Sequence, residues 1–298
     1  MTEPTHRYEL RNRYVFTGKL VMLTAFHIGS GVGRMTTSAS DSPVVLTPEG
    51  LPFIPGSSFK GALRSTVEKL VPSLPGDWFS CSLIQLDDVQ AEEALRQKKR
   101  VCSTAWSADL TSRKRQNPRA AEEVRQETLD RLCDTCLLFG SPFAASRVNI
   151  NDLYMPLEEW NGAVQVRDGV AIDRDSEKAK DRLKYDFEVV PTGAVFHLEV
   201  ILENATSRDL QLLSIGLGEF VHGFGSIGGK RSRGLGACRL DALHVSALEL
   251  TDINEQERNR RLRNYLLERK PELKFSSSED GEVFLNKHIS QVFEGSSL

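Results

Sequence analysis

Four cysteines, Cys81, Cys102, Cys133 and Cys136, fall in one stretch of the chain, and the last two are spaced as C-x2-C. That spacing lets two thiolates approach one metal ion from a single turn, and two further sulfurs complete the tetrahedral set of a structural zinc centre. The gaps between Cys81, Cys102 and the close pair match no compact zinc ribbon, so buried free thiols are the alternative. A fifth cysteine, Cys238, lies in a strand-like run and reads as a small packed hydrophobe. The second group is HGFGSIGGKRSRGLGACR, residues 222–239, where six glycines accompany Lys230, Arg231, Arg233 and Arg239 without an acid. Glycine lets a backbone approach a phosphate closely, and Lys and Arg neutralise it; a plain surface turn is the competing reading. The GxGxxG spelling of Gly223, Gly225 and Gly228 follows a helix instead of joining a strand to a helix, which removes the dinucleotide reading. The third group is SDSPVVLTPEGLPFIPGSSFKGALRS, residues 40–65. Here Asp41 stands in a small polar run, upstream of a serine-capped helix start at Ser57 or Ser58 with Lys60 and Arg64 a turn apart, an arrangement suited to an anion. Taken alone, Asp41 also fits a turn-forming role before Ser-Pro.

The elements that would position these groups read as α+β. Residues 14–28 alternate, with Phe16, Leu20, Met22, Thr24 and Phe26 on one face of a long predicted strand. Gly29, Gly31 and Gly33 then open a loop, and residues 41–46 return as a short extended run. A predicted helix follows on Phe59, Leu63, Val67 and Leu70; residues 194–203 form a second strand. Ser207 opens a helix with an apolar stripe from Leu210 to Phe224, and residues 235–245 make the last strand. Strand, helix, strand, helix, strand is the ferredoxin-like, split βαβ pattern. Residues 76–130 lack periodicity and read as an insertion, and 165–190 as a charged excursion. The expected organisation is one domain over residues 1–250 with the cysteine-containing insertion (76–140) hung from it. Residues 251–298 are expected to be a peripheral charged helix and a mobile tail.

With 298 residues, 40% hydrophobic and 27% charged, the composition is that of an ordinary globular chain, and its net charge of −3 gives no global basic signal. Nucleic-acid binding would therefore rest on local patches. No apolar run is long enough for a membrane span and the start carries no signal-peptide core, so the expectation is a cytoplasmic protein without a membrane partner.

HIGSG (27–31), the 40–65 stretch, CDTCLLFGS (133–141), GVAIDR (169–174), EVVPTGAVF (188–196) and GGKRSRGLGACRL (228–240) occur in order. Together they resemble the RAMP-superfamily backbone subunits of type III CRISPR effector complexes, of the Csm and Cmr kind. The resemblance implies an RRM-like fold with a protruding thumb hairpin at 165–190, assembling with further RAMP and other effector subunits along a CRISPR RNA guide and cutting the complementary target RNA. It implies that Asp41 is the cleavage carboxylate, holding a divalent cation such as Mg2+ or helping to deprotonate the attacking 2'-hydroxyl. It also implies guide contacts from Ser57, Ser58, Lys60, Arg64 and, in the basic glycine-rich loop, Lys230, Arg231 and Arg233, with His27 either a further RNA-binding or active-site group or simply a strand-end residue. The larger cysteine-bearing insertion departs from the compact Csm pattern and suggests a variant such as type III-D. Competing readings are a non-catalytic subunit of the same complex, a repeat-processing RNase using His27 or His222, and a zinc-stabilised protein-interaction module.

Overall fold

Alternating burial of Tyr14, Phe16, Leu20 and Met22 makes β1 (Asn12–Met22) the central strand. The computed structural model describes residues 9–29, 40–81, 129–160, 164–172, 179–270 and 274–294, with Cys102 and a few other positions between 82 and 128. The loop around Gly31 and Gly33, most of the insertion and the thumb tip lie outside the described residues. The elements that follow β1 are β2 (Phe53–Ile54), α1 (Gly56–Leu70), α2 (Asp134–Phe139), β3 (Val148–Ile150) and β4 (Leu153–Tyr154). Then come β5 (Gln165–Ile172), β6 (Ala179–Val189), β7 (Val195–Glu203), α3 (Ser207–Val221) and β8 (Gly225–Ser226). The chain closes with β9 (Ala237–Glu249), α4 (Glu255–Leu267), β10 (Ser277–Asp280) and α5 (Gly281–Glu294).

β1 pairs antiparallel with β7 on one side and β9 on the other, giving the sheet order β10-β9-β1-β7-β3, with β8 also on β9. Setting β10 aside, β9-β1-β7-β3 with α1 and α3 as the two crossovers is the ferredoxin-like α+β order. α1 meets α3 through Phe59 and Phe220, ring centroids 5.1 Å apart. The approach is close because position 216 is glycine: a Cβ there would lie 2.7 Å from Val67 Cγ2 and 2.8 Å from Leu63 Cδ1.

The structure departs from the sequence reading at five points. β1 ends at Met22, not residue 28, because the chain bends at Leu23 and Thr24, whose amides both reach Ala237 O; beyond the bend Phe26 bridges to Val190. No serine caps α1: the N-cap is Pro55, and the Gly56 amide is satisfied by Asp152 Oδ1 at 2.7 Å. α3 begins at Ser207 as expected, capped by Thr206 in a capping box with Asp209, but its apolar stripe stops short of Phe224, which is 76% exposed because it lies past the helix end. β3, the second strand of the ferredoxin order, went unread, being three residues long. Finally, residues 277–294 are not a mobile tail: β10 pairs with β9, and α5 buries Phe284 and Leu285 on the core. Phe284 meets Phe16 edge-on at 5.5 Å and Tyr14 at 5.9 Å. Phe284→Ala is therefore expected to destabilise the whole domain by about 3–5 kcal/mol in a urea titration, where a peripheral tail would show no change.

Candidate nucleic-acid interface and metal centre

Three of the predicted stretches converge on the lower half of β6. β5 and β6 form an antiparallel hairpin, the expected thumb, whose pairing includes Asp168 with Asp186 and Gly169 with Tyr185. The Asp41 loop docks along β6 through one main-chain bond and several bonds that pair a side chain with a main-chain amide. Glu188 N–H donates to Ser42 O at 3.0 Å, and the Glu188 carboxylate accepts from Val44 N–H at 2.9 Å. One step along, Asp41 and Asp186 bond reciprocally: Asp186 Oδ1 accepts from Asp41 N–H at 2.6 Å and Asp41 Oδ2 from Asp186 N–H at 3.1 Å. Asp41 is exposed, and the reciprocal bonds join it to Asp186 at the thumb base.

By strand alternation the intervening residues Tyr185 and Phe187 point to the other face of β6, where the glycine-rich loop supplies cations. Lys230 Nζ lies 4.4 Å from the Phe187 ring centroid, and the Arg233 guanidinium lies 5.8 Å over Tyr185 while donating to its hydroxyl. The loop holds this position because Gly228 and Gly236 have positive φ; a Cβ would meet His27 O at 2.3 Å and Ile227 O at 2.0 Å respectively. Arg231 sits exposed in the short 3-10 turn between Lys230 and Gly234.

His27 is buried beneath this arrangement. Its Nδ1 is 2.7 Å from Glu188 O, a carbonyl that only accepts, so the proton sits on Nδ1 and Nε2 is free to accept from Ser42 Oγ at 3.2 Å. Its ring packs edge-on to Phe187. His27 thus braces the Asp41 loop from below. Asp186, Glu188, Tyr185 and Phe187 were missed in the sequence, where their alternation was submerged in a charge-dense run.

Lys60 and Arg64 do not join this cluster. Lys60 Nζ donates to Ser146 Oγ at 2.7 Å and Val148 O at 3.1 Å, and burial together with the Arg64 charge draws its pKa down. Arg64 bonds Glu68, Gly140 O and Cys136 Sγ. Both side chains are bonded to the segment after α1. Ser57 is exposed at the start of α1, with Ser58 half-buried beside it.

The four predicted cysteines do come together: their sulfurs all lie within 4.8 Å of one another, although Cys81 and Cys133 are separated by the insertion. Cys81 and Cys136 sulfurs are 3.6 Å apart, close to the ~3.8 Å edge of a tetrahedron built on zinc–sulfur bonds of about 2.3 Å. The sulfurs are also arranged as acceptors. Cys136 N–H donates to Cys133 Sγ and Cys133 N–H to Cys102 Sγ, each at 3.4 Å. Packed so closely, the thiols ionise unequally: its hydrogen bond with Cys102 draws Cys81 down to about 7, and its bond with Cys133 pushes Cys102 up. The donor set fits one thiophilic dication. Cys238, by contrast, is fully buried in β9, and burial pushes its thiol up to about 12.

The base of the insertion is tied to the core a second time. Arg208 on α3 forks onto Asp134 at 2.9 and 3.0 Å and stacks 3.9 Å over Trp78. Among the described residues no helix is long and apolar enough to cross a membrane.

Several curated proteins share local similarity with this chain. The CRISPR system Cms endoribonuclease Csm3 of Enterococcus italicus is 48% identical over 60 residues, 20% of this chain and 28% of that protein. The Methanothermobacter thermautotrophicus protein of the same name is 39% identical over 59 residues (20% and 24%), and that of Mycobacterium tuberculosis 44% over 54 residues (18% and 23%). The matched stretches span about a quarter of these relatives' length. The RAMP superfamily profile reaches much further, matching residues 19–239, from within β1 into β9 and across the Asp41 loop, the thumb and the glycine-rich loop. By that extent of match, the chain belongs to the RAMP superfamily.

Proposed function

We propose that this chain is a backbone subunit of a type III CRISPR effector complex, binding the CRISPR RNA guide and cutting the target RNA paired to it. The observation that carries the reading is the convergence on β6 of an exposed carboxylate loop bonded to its main chain and a lysine- and arginine-bearing glycine loop over Tyr185 and Phe187. The superfamily membership and the printed name of the relatives support it. In this reading Lys230, Arg231 and Arg233 neutralise phosphates, and Ser57 and Ser58 offer hydroxyls at the start of α1. Asp41 acts at the scissile bond: it takes the proton of the attacking 2'-hydroxyl or, with Asp186, offers hard oxygen donors to a divalent cation such as Mg2+. Such a cation, when bound, screens charge developing on the phosphate. His27 keeps the Asp41 loop in register through Ser42. The thumb would part the paired strands beside the loop, freeing a target nucleotide for the in-line approach that 2'-oxygen attack requires. Zinc is the metal the four cysteines would hold, as a closed structural centre with no open position for chemistry.

The test is on the chain co-expressed with a CRISPR array and its partner subunits. RNA of guide length should co-purify. Lys230→Ala, Arg231→Ala and Arg233→Ala should each weaken guide binding irrespective of sequence and lower the slope of log affinity against log salt by about 0.7, the value for one single-strand phosphate contact. A chain free of RNA in every preparation would instead favour a zinc-stabilised protein-interaction module.

A further inference from the structure

The side chain that joins the cysteine cluster to the ferredoxin core is Arg64, and nothing in the proposed RNA chemistry uses it. It stands on α1 with only 14% of its side chain exposed. Each part of its guanidinium is engaged: Nε donates to Glu68 Oε1 at 2.8 Å, Nη1 to Gly140 O at 2.8 Å and Nη2 to Cys136 Sγ at 3.4 Å. Glu68, one turn along the same helix, fixes the plane of the fork. The other two bonds grip both ends of one structural unit. Cys136 lies in the knuckle whose other sulfur, Cys133, caps α2, and Gly140 is the left-handed residue that ends α2 and returns its amide to Cys136 O. The guanidinium therefore holds the Cys133–Gly140 turn as a clamp holds a ring.

Four thiolates around one dication leave a net charge of about −2, and in a half-buried place such charge needs donors aimed at the sulfurs. Two backbone amides supply neutral ones, to Cys133 and Cys102. Among the described residues Arg64 is the cation seen to bond a cysteine sulfur. We infer that Arg64 is a positioning residue of the metal centre: it orients Cys136, stabilises its thiolate and makes helix α1 part of the metal site. The inference rests on the reading of the four cysteines as a zinc site. Its consequence is that metal loading is felt by α1, the helix whose first turn carries Ser57 and Ser58.

Partners at this distance from a metal typically contribute 10–100-fold in affinity. Arg64→Met in the full chain should then bind Zn2+ about 10–100-fold more weakly in competition with a chromogenic chelator. With Co2+ in place of zinc, its thiolate-to-metal charge-transfer band should move to lower energy, since a sulfur that loses an N–H donor holds its electrons less tightly. Arg64→Lys, which keeps the charge but not the fork, should recover part of the affinity. Lys60→Met is the control. It removes a cation tying the same segment to α1 without touching sulfur, and should leave both affinity and band as in the parent. If Arg64→Met does not fold, Glu68→Gln, which only frees the guanidinium plane, should show a smaller shift in the same direction. A parent chain that binds neither Zn2+ nor Co2+ removes the metal reading itself. A parent that binds, with Arg64→Met or its Glu68→Gln substitute within twofold of it and unshifted in band, overturns the role of Arg64 alone. So does an equal loss in Lys60→Met.

Discussion

Asp41→Asn, assembled with its complex, is expected to cut paired target RNA about 10²- to 10⁴-fold more slowly than the parent, the range lost when a positioned proton-transfer group is removed. Guide and target binding should stay nearly intact, because an acidic side chain in a phosphate-lined groove repels its ligand and its loss cannot weaken attraction. Asparagine is the informative substitution. Asp41 Oδ2 accepts the Asp186 amide, and that bond helps seat the loop on β6. An amide oxygen can still accept it, so the loop keeps its place while the charge is lost. Asp41→Ala removes both, and if it is slower than Asp41→Asn the difference measures the seating. Asp186→Asn separates the two carboxylates further: a loss comparable to that of Asp41→Asn would make the pair act together, and a near-parent rate would leave Asp41 acting alone. Quantified cleavage products at each cut site are the readout. Parent-like cutting by Asp41→Asn would reduce Asp41 to a turn residue braced against the thumb and leave the chain a non-catalytic scaffold.

The central strands, both long helices and the cysteine set were legible in the sequence because each has a period or a spacing that survives without tertiary context. Phe16, Leu20 and Met22 alternate, Phe59, Leu63 and Val67 step round a helix, and all of them are buried. What stayed hidden depends on partners distant in sequence. β3 is three residues long and is a strand only because Val148 to Ile150 pair with β7. α5 is half charged and polar, and reads as peripheral until Phe284 is seen between Tyr14 and Phe16. The site suffered in the same way. Asp41 was visible through the resemblance, but its neighbours Asp186 and Glu188 sit 145 and 147 residues later, in a run whose charges masked the alternation of Tyr185 and Phe187. Lys60 and Arg64 carry contacts that the sequence does not show: beside a serine-rich helix start the pair reads as a phosphate site, and in the fold internal carbonyls, Ser146, Glu68 and a sulfur accept from them.

Loss of the metal should be felt mainly by the insertion. Described residues of this region pack as a small apolar group of Leu132, Cys133 and Cys136 with Cys81, Cys102 and Phe143 against it, so the four cysteines lie at the centre of that group. A structural zinc returns its binding energy, about 10–16 kcal/mol in small zinc-binding peptides, as folding energy. Cys133→Ser or Cys136→Ser is therefore expected to drop the zinc content from near one per chain to near zero and to expose residues 76–140 to protease, with cleavage there faster by about 10-fold or more. The disturbance should stop at the two tethers. Arg64 and Arg208 would each lose a partner on the insertion side, so the thermal midpoint should fall, while amide exchange in β1 and β9 should keep its protection because none of their pairing passes through Cys81, Cys102, Cys133 or Cys136. Chelator treatment of the parent should reproduce the protease pattern, and readdition of Zn2+ should reverse it. The opposite result is equally clear: a purified parent chain with well under one zinc, all four thiols titrating freely in the folded state, and serine variants as protease-resistant as the parent would mean that packing of neutral thiols, not a metal, holds the insertion to the core.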